Sequence, residues 1–176
     1  MKKLFYLTIV LGLFSGCSSS FKVTTDYDNT VDFNKLTTYN FTEEALGLPI
    51  NEFNRTRVLN AIEEQMSEKG FTKSDDPQVL VNLHARAERK VEATANTNYY
   101  GGSYRYRYGG GFSTTSVNVN EYVEGTLFID LIDNPEDLLI WQAICVGTLD
   151  QSTKKMAQKI DDTIIKAFYK YPPKNK

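Results

Sequence analysis

The chain has 176 residues, of which 41% are hydrophobic: enough for one domain with a sizeable core, and too many for a globally disordered chain. Its formal charge is -2, or -4 (18 basic against 22 acidic residues) once Lys2 and Lys3 at the N-terminus are set aside. That balance leaves no electrostatic footprint for nucleic acid.

Lys2-Lys3 precede an apolar run from Leu4 to Phe14. The run falls short of the ~20 residues that a membrane-spanning helix needs and has the length of a signal peptide core. It ends Leu13-Phe14-Ser15-Gly16-Cys17, which resembles the lipobox of bacterial lipoproteins. Phe14 departs from the leucine usual in that motif. The resemblance implies a signal peptide over 1–16, lipid on Cys17 and a tether over 17–20. Fatty acyl chains such as palmitate then hold the protein on a membrane, at ~0.8 kcal/mol per buried methylene. The expected location is the bacterial cell envelope, at the outer membrane facing the periplasm.

A single domain is expected over 21–172, with a tail over 173–176. Phe21 to Tyr27 alternates and is rich in β-branched and aromatic residues, so it reads as a strand that stops at the turn formers Asp28-Asn29. A second strand is expected over Thr37 to Thr42, with Tyr39 and Phe41 on one face. Pro49 suits the opening of a helix. Phe53, Val58, Ile62 and Met66 then recur near the helical period, with Arg55, Glu63, Glu64 and Glu68 outward. Gly70 is expected to end the helix as a left-handed cap, with Phe71 folded back on the last turn.

After Asp75-Asp76-Pro77 comes the clearest alternation in the sequence. Val79, Val81, Leu83, Ala85, Ala87, Val91 and Ala93 share one face, and Asn82, His84, Arg86, Glu88, Lys90 and Glu92 the other, the pattern of a long half-buried strand. A second extended segment runs from Thr114 to Ile132 with Val117, Val119 and Val123 on its apolar side. Antiparallel pairing that sets Leu83 against Leu127 and Val81 against Ile129 also brings Arg89 to Glu121 and Arg86 to Glu124. Each charge pair is worth only ~0.2 to 1 kcal/mol, so the apolar pattern fixes the parity of the register and the charges refine it.

Between these strands, over 96–112, lies a low-complexity insert rich in glycine, tyrosine and arginine, read as a long hairpin tip. Tyr99, Tyr100, Tyr104, Arg105, Tyr106, Arg107 and Tyr108 form a candidate binding loop. Tyrosine and arginine make binding hot spots, and an envelope protein or cell-wall glycan is the partner such a loop would suit. Drift in the composition of a flexible loop produces the same pattern without any contact.

The centre of the core is expected in the hairpin from Tyr122 to Val146. Pairing outward from Pro135 puts Leu131 with Leu139, Ile129 with Trp141, Leu127 with Ala143 and Gly125 with Cys145 on the buried face. Thr126, Phe128 and Asp130 face Ile144, Gln142 and Ile140 on the other. With lipid on Cys17, Cys145 is the one thiol left, and between Ile144 and Val146 it reads as a small buried hydrophobe. The last element opens near Asp150 as N-cap. It carries Met156, Ile160, Ile164, Ala167, Phe168 and Tyr171 on one stripe and stops at Pro172-Pro173.

The chemistry of an enzyme is hard to place. The single histidine, His84, lies on a polar strand face with no second metal-ligand residue near it in sequence. There is no nucleophile elbow and no phosphate-binding loop. Glu121 and Glu124 fall on opposite faces of a strand. No catalytic residue, metal or cofactor is therefore assigned. The leading expectation is a binding or structural module, and the alternative is an envelope hydrolase with an atypical site.

Several weak motifs in order, Val23 to Asp28, Asp32-Phe33 with Thr38-Tyr39, Lys69-Gly70-Phe71, Gly125 to Asp130 and Leu139-Ile140-Trp141, resemble the bacterial lipoprotein family catalogued as domain of unknown function four-one-three-six. The resemblance implies an exported, membrane-anchored α+β domain and supplies no catalytic residue. The expected architecture has two layers: a mostly antiparallel sheet with two long helices on one face, in the order β-β-α-β-β-β-α.

Overall fold

A computed structural model of the protein describes residues 21–99, 113–149 and 152–173. Cys17, most of the glycine-rich insert and Asp150 lie outside the described residues. The elements in order are β1 (Lys22–Tyr27), a 3-10 turn (Phe33–Lys35), β2 (Thr38–Phe41), a short helix α1 (Glu43–Leu46), α2 (Glu52–Glu68), β3 (Thr72–Lys73), β4 (Val79–Tyr99), β5 (Ser113–Asp133), β6 (Leu138–Thr148) and α3 (Thr153–Phe168). Six strands form one sheet in the order β1-β6-β5-β4-β2-β3. β1, β6, β5 and β4 are antiparallel neighbours, whereas β2 runs parallel to both β4 and β3. The α+β class and the mostly antiparallel sheet agree with the sequence reading, which contained neither α1, nor β3, nor the parallel pairs.

Helix α2 begins at Glu52, three residues after Pro49. Its N-cap is Asn51, whose side chain accepts from the Phe53 amide at 3.1 Å, satisfying one of the donors a helix start leaves open. Phe53 is not on the inner stripe; it is 72% exposed. At 100° per residue it lies about 140° around the helix from Val58, which with Ala61, Ile62 and Met66 faces the sheet. The far end closes as expected: Gly70 takes φ 87°, the Phe71 amide donates to Met66 O at 2.9 Å and the Gly70 amide to Ser67 O at 3.0 Å. This Schellman closure needs a residue free to adopt positive φ, and it folds Phe71 back into the core.

The core lies between the odd-numbered face of the sheet and the two long helices, with Val79, Val81, Leu83, Ile129, Leu131, Trp141, Ala143 and Cys145 buried under Ile62, Met66, Ile164 and Phe168. An aromatic cluster closes one end. Trp141 packs 5.2 Å from Phe168 and edge-on to Tyr171 at 5.6 Å, and Tyr171 meets Phe33 edge-on at 5.7 Å. Such pairs contribute roughly 0.5–1.5 kcal/mol each beyond the area they bury. The Tyr171 hydroxyl has no hydrogen-bond partner among the described residues, and burial pushes its pKa well above the usual phenol value.

Both long pairings have the expected parity and a different register. In β4 and β5, Leu83 faces Ile129, Val81 faces Leu131 and Arg86 faces Thr126, a slip of two residues that preserves every inward side chain. The charge pairs that had refined the register do not form across the strands. Glu88 instead faces Glu124, and Lys90 bridges them, 3.0 Å from Glu88 and 3.8 Å from Glu124. The base of the pair is fixed by Asn134, whose amide donates to Gln78 O and whose side chain donates to Pro77 O, both at 2.9 Å.

In β5 and β6, Leu131 faces Trp141, Ile129 faces Ala143, Leu127 faces Cys145 and Gly125 faces Gly147. An irregularity between Leu131 and Ile132 leaves Ile140 without a cross-strand partner, the signature of a bulge. Its carbonyl accepts from the Asp28 amide at 2.9 Å. The extra residue inverts the alternation at the strand's start: Ile140, expected on the mixed face, is buried, and Leu139, expected in the core, is 51% exposed. Gln142 is on the outer face as expected and donates to Asp130 at 2.7 Å.

The largest departure concerns coverage. Beyond Ala87 and Gly125 the paired strands continue to Tyr99 and back from Ser113, so Asn96 to Tyr99 belong to β4 rather than to the insert. Their alternation persists, yet the apolar side is bare: Val91, Val117 and Val119 are all more than half exposed. This upper half is a two-stranded arm projecting past the helices, and not the half-buried strand that its pattern predicts.

Candidate functional site

Where the body meets the arm, the inner face of the sheet carries small residues: Ala85, Ala87 and Gly125, with Cys145 on the next strand. Ala87 lies directly opposite Gly125, and Ala85 opposite Leu127. The helices overhead do not fill the space, and a cavity of about 420 Å³ remains. Val58 of α2, Met156, Ile160 and Ile164 of α3, and Leu127 and Cys145 of the sheet line it. Asn51, Asn54 and Thr163 supply a few polar groups. Thr163 is committed, since its hydroxyl donates to Lys159 O at 2.5 Å.

Two glycines shape the same corner. A Cβ at Gly147 would come within 2.7 Å of the Phe21 ring, and one at Gly125 within 2.6 Å of the Leu149 side chain. Phe21 is thereby seated flat on β6 at the cavity, and Lys166 donates to its carbonyl at 3.2 Å. The sequence offered one signal for this cavity, the small residues at one level of neighbouring strands. Read strand by strand, they look like ordinary core alternation.

Cys145 is fully buried, and burial pushes its thiol up to about 12, with Lys166 pulling weakly the other way. A thiol held protonated is a poor nucleophile. His84 is exposed on the outer face, with Nε2 3.0 Å from the Asn82 amide nitrogen. Asn82 in turn accepts from the Thr42 hydroxyl at 2.7 Å. The imidazole thus ends a short polar chain that also holds the N-cap of α1. Glu121 and Glu124 are separated by the sheet, as period two requires. Among the described residues no three His, Cys, Asp or Glu side chains form a group that could hold a metal ion. No described helix is long and apolar enough to cross a membrane. Of the candidate binding loop, Tyr99 is the last residue of β4. Tyr100, Tyr104, Arg105, Tyr106, Arg107 and Tyr108 lie outside the described residues, in the segment that joins the far ends of the arm's strands.

A family model described as a domain of unknown function, DUF4136, matches residues 23–173. The chain belongs to the DUF4136 family. The matched span takes in the sheet save Lys22 at the start of β1, both long helices and the cavity lining save Phe21, so the two layers are the DUF4136 domain itself. No curated protein matches the chain. Among solved structures, a PDZ domain protein from Parabacteroides distasonis is 19% identical with a TM-score of 0.49; the match covers 88% of this chain and 35% of that one. This chain thus spans about a third of that protein. The PelC dodecamer from Paraburkholderia phytofirmans is 12% identical with a TM-score of 0.43, over 84% of this chain and 94% of that one. Neither likeness is strong enough to carry an argument.

Proposed function

We propose that the protein is a lipid-anchored cell-envelope binding module, not an enzyme, whose ligand is an aliphatic chain or another slender apolar group held between helices and sheet. The observation that carries this is the cavity. Its volume falls within the ~300–1,000 Å³ of small-molecule sites, its lining is largely aliphatic, and its few polar groups do not converge as a catalytic set would. Anchorage rests on the sequence: the apolar run to Phe14 and the lipobox-like Ser15-Gly16-Cys17. Three residues, Ser18 to Ser20, lie between Cys17 and Phe21, so the lipid would sit within about 15 Å of the cavity wall at full extension. A binding site that close to a bilayer can sample chains leaving it.

The cavity is tested with a fluorescent fatty acid titrated into the protein, using Ala85→Leu and Ala87→Leu to fill the space. Saturable binding that the substitutions weaken tenfold or more, at an unchanged melting temperature, supports the site. Equal binding by the variants removes it. The anchor is tested separately: Cys17→Ser should block lipid labelling and leave the precursor uncleaved, and a lipid-labelled mature product from that variant would overturn the reading.

A further inference from the structure

The outer edge of β4 is open over the arm. Its first residues pair with β2 through Phe41 opposite Val81, and the Thr42 amide donates to Val81 O at 3.1 Å. Past that bond, no described backbone hydrogen bond reaches this edge. Because Val81 O points toward β2, and β4 continues without a register shift against β5, the amides and carbonyls of every odd residue from Leu83 to Tyr99 point the same way, outward. Unpaired edges of this length are templates for another strand.

We infer that this edge pairs antiparallel with the same edge of a second copy of the chain, about a two-fold axis at Val91. Charge complementarity places the axis there. The register about Val91 lies within the arm, where residues 87–95 of one copy meet 95–87 of the other, beyond the buried Leu83 of the body. The same register sets Lys90 against Glu92 of the second copy and Glu92 against its Lys90, on the polar face, with Val91 on Val91 and Ala87 on Ala95 on the apolar face. No two like charges face each other in it. A shift by one step in either direction would put Lys90 on Lys90 or Glu92 on Glu92. Glu92 has no ion pair among the described residues, so it is available to the second copy. An isologous contact of this kind is self-complementary and closes as a dimer. Opposite charges directly across strands favour the pairing and like charges oppose it.

The experiment is disulfide trapping in the full-length chain expressed in bacterial cells. Val91→Cys places two thiols at a hydrogen-bonded antiparallel pair, where Cα atoms ~5.5 Å apart lie within disulfide range. Cys145 is buried and does not compete. Mild oxidation should trap a dimer at Val91→Cys at least tenfold more than at Val117→Cys, an exposed control on the neighbouring strand. Adding Glu92→Lys should abolish the trapping, and adding Lys90→Glu to that variant should restore it. Trapping at Val91→Cys no greater than at Val117→Cys overturns the proposal and leaves the edge charges as protection against pairing. Trapping indifferent to the charge reversal overturns it equally, because it would report random collision.

Discussion

The lower and upper halves of the β4–β5 pair have the same sequence grammar and opposite fates. From Val79 to Leu83 the apolar residues are buried under the two helices and Ala85 is half-buried; Ala87 and, beyond it, Val91 to Ala95 have the same parity and face solvent. Alternation therefore reports which way a side chain points, and not whether anything is there to meet it. Coverage depends on how far α2 and α3 reach along the strands, which is set by helix length and crossing geometry far away in sequence. The contrast predicts different responses to perturbation in the two halves and gives ways to break it.

The largest effect is expected in the body. Trp141→Ala removes the ring that holds Phe168 and Tyr171 together and should cost about 3–5 kcal/mol, read as a lowered denaturation midpoint with an unchanged slope. A residual cost below about 1 kcal/mol would mean that the aromatic cluster is not the keystone of the core. Next is Gly147→Ala, which drives a methyl group into the seated Phe21 ring; about 1–3 kcal/mol is expected. Gly125→Ala should cost less, because Leu149 is partly exposed and can swing aside.

Smaller and conditional is the alkaline response of Cys145. The folded state holds its thiol protonated up to about 12, whereas the unfolded chain ionises it near ~8.5. Folded pKa above unfolded pKa means that the stabilisation is complete below the unfolded value and is lost as pH rises toward the folded one. Chemical denaturation from pH 7.5 to 9.5 should show falling stability, and Cys145→Ala should flatten that slope. Tyr171→Phe should be neutral or stabilising by up to about 1 kcal/mol, since it removes a buried hydroxyl with no described partner. At the bottom of the scale, Val119→Ser on the arm should change stability by no more than about 0.5 kcal/mol. A loss of 2 kcal/mol there would show that the arm's apolar side is covered in solution, and would merge the two regions into one.

Much of the fold was legible from local signals. Gly70 and Phe71 announced the end of α2, and period two sorted Trp141, Ala143 and Cys145 from Gln142 correctly; Pro172-Pro173 overshot the end of α3, which stops at Phe168 and leaves Tyr171 beyond the helix. Register was not legible to better than parity. A slip by two residues returns every side chain to its own face, so the apolar pattern is blind to it, and exposed charge pairs are too weak to decide. Lys90 satisfying Glu88 and Glu124 together shows how easily a flexible cation adapts to a register that cross-strand pairing would disfavour. The bulge at Ile140 had no signal, because Leu138-Leu139-Ile140 is apolar in either phase. The cavity arises from what Ala85, Ala87 and Gly125 lack, and a deficit of volume is visible only once three elements are placed around it.

The strand order carries a consequence for how the chain comes to be folded. β1, the first strand, is completed only by β6, with Lys22 opposite Val146, and the core around Phe33 waits for Tyr171 near the far terminus. Parallel pairing of β2 with β4 adds another closure across α2. Contacts between such distant parts of a chain must meet the entropy of loop closure before they return any stabilisation, which slows folding. No N-terminal portion of this sheet has a finished edge and a finished core at the same time. A nascent chain therefore stays open until its last helix is made.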